Sequence, residues 1–147
     1  FDEFFEQVFQ VFEDPRSWAL FPETHAVLTK LREAGFELGI VSNFDSRLFP
    51  VMRGLGIDRL FDSVTIASLA RAAKPAPKIF EIALEKHAID PGEAMHVGDS
   101  VRDDLEGATK AGLTGVLLDR AGRHQASGGI VIRTLDEILP LAMASKE

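Results

Sequence analysis

The sequence predicts an α/β fold with a mostly parallel sheet flanked by helices, on three observations. Short apolar runs recur along the chain at residues 36–41, 63–67, 94–97 and 116–118. Segments with helical spacing of apolar residues lie between them. Three polar or charged groups fall at or just beyond the ends of these runs. Strands alternating with helices build right-handed βαβ units, and these bring the carboxyl ends of the strands to one edge of the sheet.

Taken in order, Phe1, Phe4, Phe5, Val8, Phe9 and Phe12 recur at helical spacing and form an aromatic stripe that needs burial. Asp14 and Pro15 stop it, and residues 18–22 read as a connector with tucked-in aromatics. Pro22 suits the first turn of a helix carrying Val27, Leu28, Leu31 and Ala34, closed by Gly35. Residues 36–41 form the first strand, ending at Ser42 and Asn43. Leu48, Met52 and Leu55 mark a helix stopped by Gly56, and residues 63–67 a second strand. The polar loop 71–77 opens onto a helix with Ile79, Phe80, Ala83 and Leu84. Residues 90–93 are a turn, 94–97 a third strand, and Leu105, Ala108 and Ala111 a helix stopped at Gly112. Residues 116–118 form another strand, 121–129 a loop, and 130–132 a further short strand. Thr134 with Glu137 makes a capping box for the last helix, and the tail 144–147 is expected to fray.

The composition narrows the function classes. A chain of 147 residues, 46% hydrophobic and 27% charged, is one ordinary domain of a soluble protein. Its net charge of -7 offers no basic surface for nucleic acid or anionic membrane. There is no cysteine, which removes disulfides and thiolate metal sites and fits a reducing, cytoplasmic setting. No apolar run is long enough to span a bilayer, and nothing resembles a signal peptide. The chain starts at Phe1 rather than Met, so it is expected to begin inside a longer or processed gene product.

Three groups fall at or beyond strand ends. Ser42 and Asn43 follow the first strand, Lys74 lies after the second, and Asp99, Asp103 and Asp104 follow the third. Carboxylates crowded at one edge repel unless a cation is present, and a hard divalent ion with oxygen ligands is the natural neutraliser. A hydroxyl near backbone N–H groups suits phosphate oxygens, and a lysine supplies a positive charge for the same anion. Together the groups describe phosphoryl recognition. Each also has a plainer use. Ser42 could cap the next helix, Lys74 could be a solvated loop residue, and Asp103 and Asp104 could cap a helix. Asp45 and Arg47 read as a surface pair, His25, His87 and His124 as surface or loop residues, and His96 as a packing residue.

The ordered segments Ile40-Val41-Ser42-Asn43-Phe44-Asp45, Lys74-Pro75-Ala76-Pro77-Lys78-Ile79-Phe80 and His96-Val97-Gly98-Asp99-Ser100 with Asp104 resemble the second, third and fourth motifs of the haloacid dehalogenase-like hydrolases, in their phosphatase-like branch. The resemblance spans residues 18–118. It implies a Rossmann-like core over 15–147, with residues 1–14 as the end of a helical cap. It further implies that Ser42 and the Asn43 backbone bind the transferring phosphoryl group and that Lys74 stabilises its charge. Asp99 would ligate Mg²⁺ directly, with Asp104, or else Asp103, as the second metal-site acid. Family members that dehalogenate need no metal, so the acid pair points to hydrolysis of a small phosphorylated metabolite through an aspartyl-phosphate. The oligomeric state is left open.

The family's first motif, an Asp-x-Asp at the end of a central strand, has no counterpart in this sequence. Asp2 sits in the aromatic helix and Asp45 belongs to the second-motif segment. The resemblance therefore implies the carboxyl-terminal part of such an enzyme, without its first strand or nucleophile, and inactive by itself. Two rivals stand beside it: a non-catalytic module that keeps phosphate or metal binding, and a response-regulator-like receiver. The receiver ranks low, because its acidic pair should precede the lysine.

Overall fold

The computed structural model describes residues 18–124 and 128–147. The helix expected over 1–12, the cap segment 1–14 and part of the 121–129 loop lie outside those residues. Among the described residues the parallel-paired strands are β1 (Gly39–Ser42), β2 (Ser63–Ile66), β3 (Met95–Gly98), β4 (Thr114–Leu118) and β5 (Ile130–Ile132). They form two sheets, β1–β2 and β3–β4–β5. Among the described residues β1 pairs only with β2, and β3 only with β4.

Helices cover both faces. On one side α1 (Thr24–Glu33) and α6 (Ile138–Ala144) pack Val27, Leu31, Ile138 and Ala142 onto Val116 and Ile132, with Phe36, Leu38, Met95 and Val97 around them. On the other, α4 (Pro77–His87) and α5 (Gly107–Lys110) join Ile79, Phe80 and Ala108 in a second cluster against Val41 and Ala67. Helix α4 lies across both β1 and β2. Burying Ile79 and Phe80 completely is worth about 1.5–3 kcal/mol for each side chain. α2 (Leu48–Gly54) adds buried Val51 and Met52. No helix among the described residues is long and apolar enough to cross a membrane.

Several boundaries differ from the sequence expectation. The first strand starts at Gly39 rather than residue 36. Phe36 N–H closes the preceding helix onto the Leu31 carbonyl, and Leu38 N–H is taken by the Asp62 carboxylate, so neither joins the ladder. Pro22 precedes α1 instead of entering its first turn. The second strand ends at Ile66, because Ala67 opens a one-turn helix, α3 (Ala67–Ala70). The helix after β3 opens with a π-helical turn, Val101–Glu106, in which both Asp104 and Leu105 N–H groups donate to the Ser100 carbonyl. Such wide turns recur at functional sites. The tail does not simply fray: Lys146 Nζ donates to the Ala34 carbonyl and lies 4.4 Å from the Phe36 ring centre. The Thr134–Glu137 capping box forms as expected, on a 3₁₀ turn leading into α6.

Candidate active site

Ser42 is the last residue of β1, and its hydroxyl accepts the Phe44 N–H at 3.2 Å. It does not cap α2: Arg47 holds that position, and the Asp45 carboxylate accepts the Arg47 N–H. The Asp45–Arg47 pair exists as expected, with two guanidinium bonds of 2.7 Å. The Arg47 guanidinium also lies 4.9 Å from the Phe44 ring centre, and Trp18 meets that ring edge-on.

Asn43 ties this strand end to the next loop through its side chain. Its amide donates to the Lys74 carbonyl at 3.0 Å, and its amide oxygen accepts the Lys74 N–H at 2.7 Å. The Lys74 ammonium in turn donates to Asp104 Oδ1 at 2.6 Å, with both side chains largely buried. Asp104 Oδ1 accepts a second bond, from His96 Nε2 at 2.8 Å, and Oδ2 accepts the Ser100 N–H at 3.0 Å. Burial alone would raise the Asp104 pKa. The His96 bond, the Lys74 bond and charge, and the Ser100 N–H outweigh it and hold the carboxyl far below its ordinary range. This chain of bonds places the carboxyl ends of β1 and β3 at one end of the molecule.

Gly98 makes the packing possible. A Cβ there would come within 2.5 Å of Asp104 Cβ and overlap the carboxylate. The strand end must therefore be glycine for the buried acid to fold back against it.

Asp99 is exposed at the end of β3. Asp103 is partly exposed; its N–H is capped by the Ser100 hydroxyl, and its carboxylate lies 4.0 Å from Arg102. No three His, Asp or Glu side chains among the described residues converge as a ready-made metal cage. The oxygen donors nevertheless fit Mg²⁺, which binds through one or two carboxylates plus substrate phosphate and keeps several waters.

The structure thus joins Asn43, Lys74 and Asp104 directly, puts Ser42 and Asp99 beside them in the chain, and leaves Asp103 outside the bonded set. Sequence reading missed His96 as a partner of the buried acid. Its signal was its place two residues before Gly98 in the strand leading to the acids, which puts it on the same face as Gly98. It also missed His87, which is nearly buried and bonded through Nε2 to Ser63 Oγ at 2.6 Å. A cleft lined by Asp119, His124, Val131 and Arg133 lies at the ends of β4 and β5. There Asp119 accepts the Arg123 and His124 N–H groups.

A family model described as haloacid dehalogenase-like hydrolase matches residues 1–112. The chain belongs to the haloacid dehalogenase-like hydrolases. Among curated members of this hydrolase family, the mouse haloacid dehalogenase-like hydrolase domain-containing protein 3 is 33% identical over 141 residues, covering 92% of this chain and 56% of the relative. A glyceraldehyde 3-phosphate phosphatase of Methanopyrus kandleri is 37% identical over 106 residues, covering 71% of this chain and 45% of its own. A solved haloacid dehalogenase-like phosphatase from Thermococcus onnurineus superposes with a TM-score of 0.82 at 34% identity, covering 86% of this chain and 60% of that one. The α/β fold is that of these hydrolases. The chain spans about half the length of the curated relatives it matches.

Proposed function

We propose that this chain carries most of the phosphoryl-transfer site of a Mg²⁺-dependent phosphatase acting on a small phosphorylated metabolite, in the cytoplasm. The observation that carries the reading is the Lys74–Asp104 pair, which holds an ammonium at the same end of the fold as Ser42, Asn43 and Asp99. A lysine with one N–H on Asp104 has two left for an anion. In this reading Ser42 and the Asn43 backbone bind the phosphoryl oxygens, and the Asn43 side chain holds the Lys74 loop in place.

Mg²⁺, when bound, supplies positive charge to the phosphoryl oxygens. Asp99 would hold it as a direct ligand. Asp104 has both oxygens engaged by N–H donors, so it orients the site from outside, and Asp103 is the alternative acid. The nucleophile is an aspartate outside this chain, on a strand that would lie between β1 and β3. Support comes from the inner edges of β1 and β3, unpaired among the described residues where proteins otherwise avoid such edges, and from the lack of an Asp-x-Asp at any strand end in this sequence. Its carboxylate attacks phosphorus as the ester P–O bond breaks, and water then hydrolyses the acyl phosphate. By itself this chain binds without turnover.

Calorimetry with Mg²⁺ and inorganic phosphate tests the reading on the parent chain, Asp99→Asn and Lys74→Met. Mg²⁺ binding lost in Asp99→Asn and phosphate binding lost in Lys74→Met support it. A folded parent that binds neither refutes it.

A further inference from the structure

His96 stands apart from every residue given a role above. It lies in the middle of β3, its ring meets the fully buried Phe80 edge-on at 5.1 Å and 83°, and its side chain is 11% exposed. Its Nε2 reaches Asp104 Oδ1 at 2.8 Å. An ionised carboxylate only accepts, so Nε2 carries the proton and donates. Oδ1 therefore takes two donors, His96 Nε2–H and the Lys74 ammonium, while Oδ2 takes the Ser100 N–H.

Two acceptor sites on Oδ1 and two donors leave no slack. Without the imidazole donor, Oδ1 keeps an unfilled acceptor site in a buried setting, where an unmade hydrogen bond is costly. With one fixed donor gone, the carboxylate is free to turn about Cβ–Cγ, and the ammonium bonded to Oδ1 at 2.6 Å moves with it, away from a ligand. Gly98 leaves room for the carboxylate against β3, and His96, two residues earlier on the same face of that strand, braces it there.

We propose that His96 is a positioning residue for Lys74: its Nε2–H fixes Asp104 Oδ1, and with it the Lys74 ammonium bonded there, so that the two other ammonium N–H groups stay directed at the phosphoryl anion. The inference rests on the phosphoryl reading of Lys74. It gives His96 a role that packing against Phe80 alone would not.

The test compares inorganic phosphate binding by calorimetry in the full chain and in His96→Gln, His96→Leu and Lys74→Met, with thermal midpoints for each. Glutamine can present an amide N–H near the Nε2 position; leucine keeps bulk without a donor. The expected result is that His96→Leu weakens phosphate about tenfold or more, the scale of one charge-linked hydrogen bond, while His96→Gln stays within about threefold of the parent. Phosphate binding unchanged in folded His96→Leu overturns the proposal, and so does a His96→Gln variant that folds but binds no better than His96→Leu. If Lys74→Met binds phosphate as the parent does, the phosphoryl reading fails, and the His96 proposal with it. If Lys74→Met loses binding but His96→Leu does not, only the proposal fails. Long-range ¹H–¹⁵N spectra of the parent give a readout that needs no variant to fold. An imidazole protonated at Nε2 supports the proposal, and one protonated at Nδ1 alone overturns it.

Discussion

Gly98→Ala isolates the packing on which the site depends. The added methyl carbon would sit 2.5 Å from Asp104 Cβ and overlap the carboxylate. Carbon atoms pack at about 3.5–4.0 Å and the carboxyl carbon lies closer to the methyl than Cβ does, so Asp104 must retreat by more than about 1 Å. That shift breaks or strains the bonds of 2.6, 2.8 and 3.0 Å to Lys74, His96 and Ser100. Disrupting a buried, hydrogen-bonded ion pair costs about 3–5 kcal/mol, which lowers the thermal midpoint of a chain this size by about 6–20 °C. Gly92→Ala is the control, since nothing lies within 4 Å of a Cβ there; it should change stability by less than about 0.5 kcal/mol. Urea unfolding followed by circular dichroism gives both values. Asp104→Ala loses the same three bonds, so the double variant Gly98→Ala with Asp104→Ala should be destabilised by clearly less than the sum. A Gly98→Ala protein as stable as Gly92→Ala, or strict additivity in the double variant, would refute the reasoning.

Three further outcomes follow from the same structure. Asn43→Ala removes both bonds to the Lys74 main chain, so it should cost about 1–2 kcal/mol in urea and speed amide exchange at Lys74; unchanged exchange there would show that another group holds the loop. Gly39→Ala places a methyl 2.7 Å from Ser63 Oγ and 2.9 Å from His87 Nε2, and should cost about 1–3 kcal/mol by overpacking, measured as a shift in urea midpoint. In acid, Asp45, Asp62 and Asp119 are held below their ordinary value of 3.8, by the Arg47 side chain, by the Leu38 N–H and Arg32, and by the His124 and Arg123 N–H groups respectively. Near and below pH 3.8 the unfolded chain therefore binds protons that the folded chain still refuses, so stability is full above that pH and falls as pH drops through it. Urea midpoints that stay level from pH 6 to pH 3 would contradict this.

The alternation of apolar runs and helical segments was enough to determine the α/β class and the order of the strands, because backbone periodicity is a local property. The same holds for the polar residues at the strand ends: once parallel strands are accepted, Ser42, Lys74 and the acids after β3 must face one edge. The Thr134–Glu137 cap was equally local. Tertiary structure decided what local patterns do not contain. Whether Asp104 or Asp103 turns inward depends on the π-helical turn after Ser100, which no spacing in the sequence announces. That His96 donates to the acid, rather than merely packing, depends on Gly98 leaving room for the carboxylate on the same side of β3. The Asn43 side chain reaching Lys74, and Ser63 reaching His87, are contacts between residues 31 and 24 apart. The separation of β1–β2 from β3–β5 is likewise a matter of which edges meet in space. Periodicity and chain order set which groups arrive at the site; long-range packing sets which atoms touch once they are there.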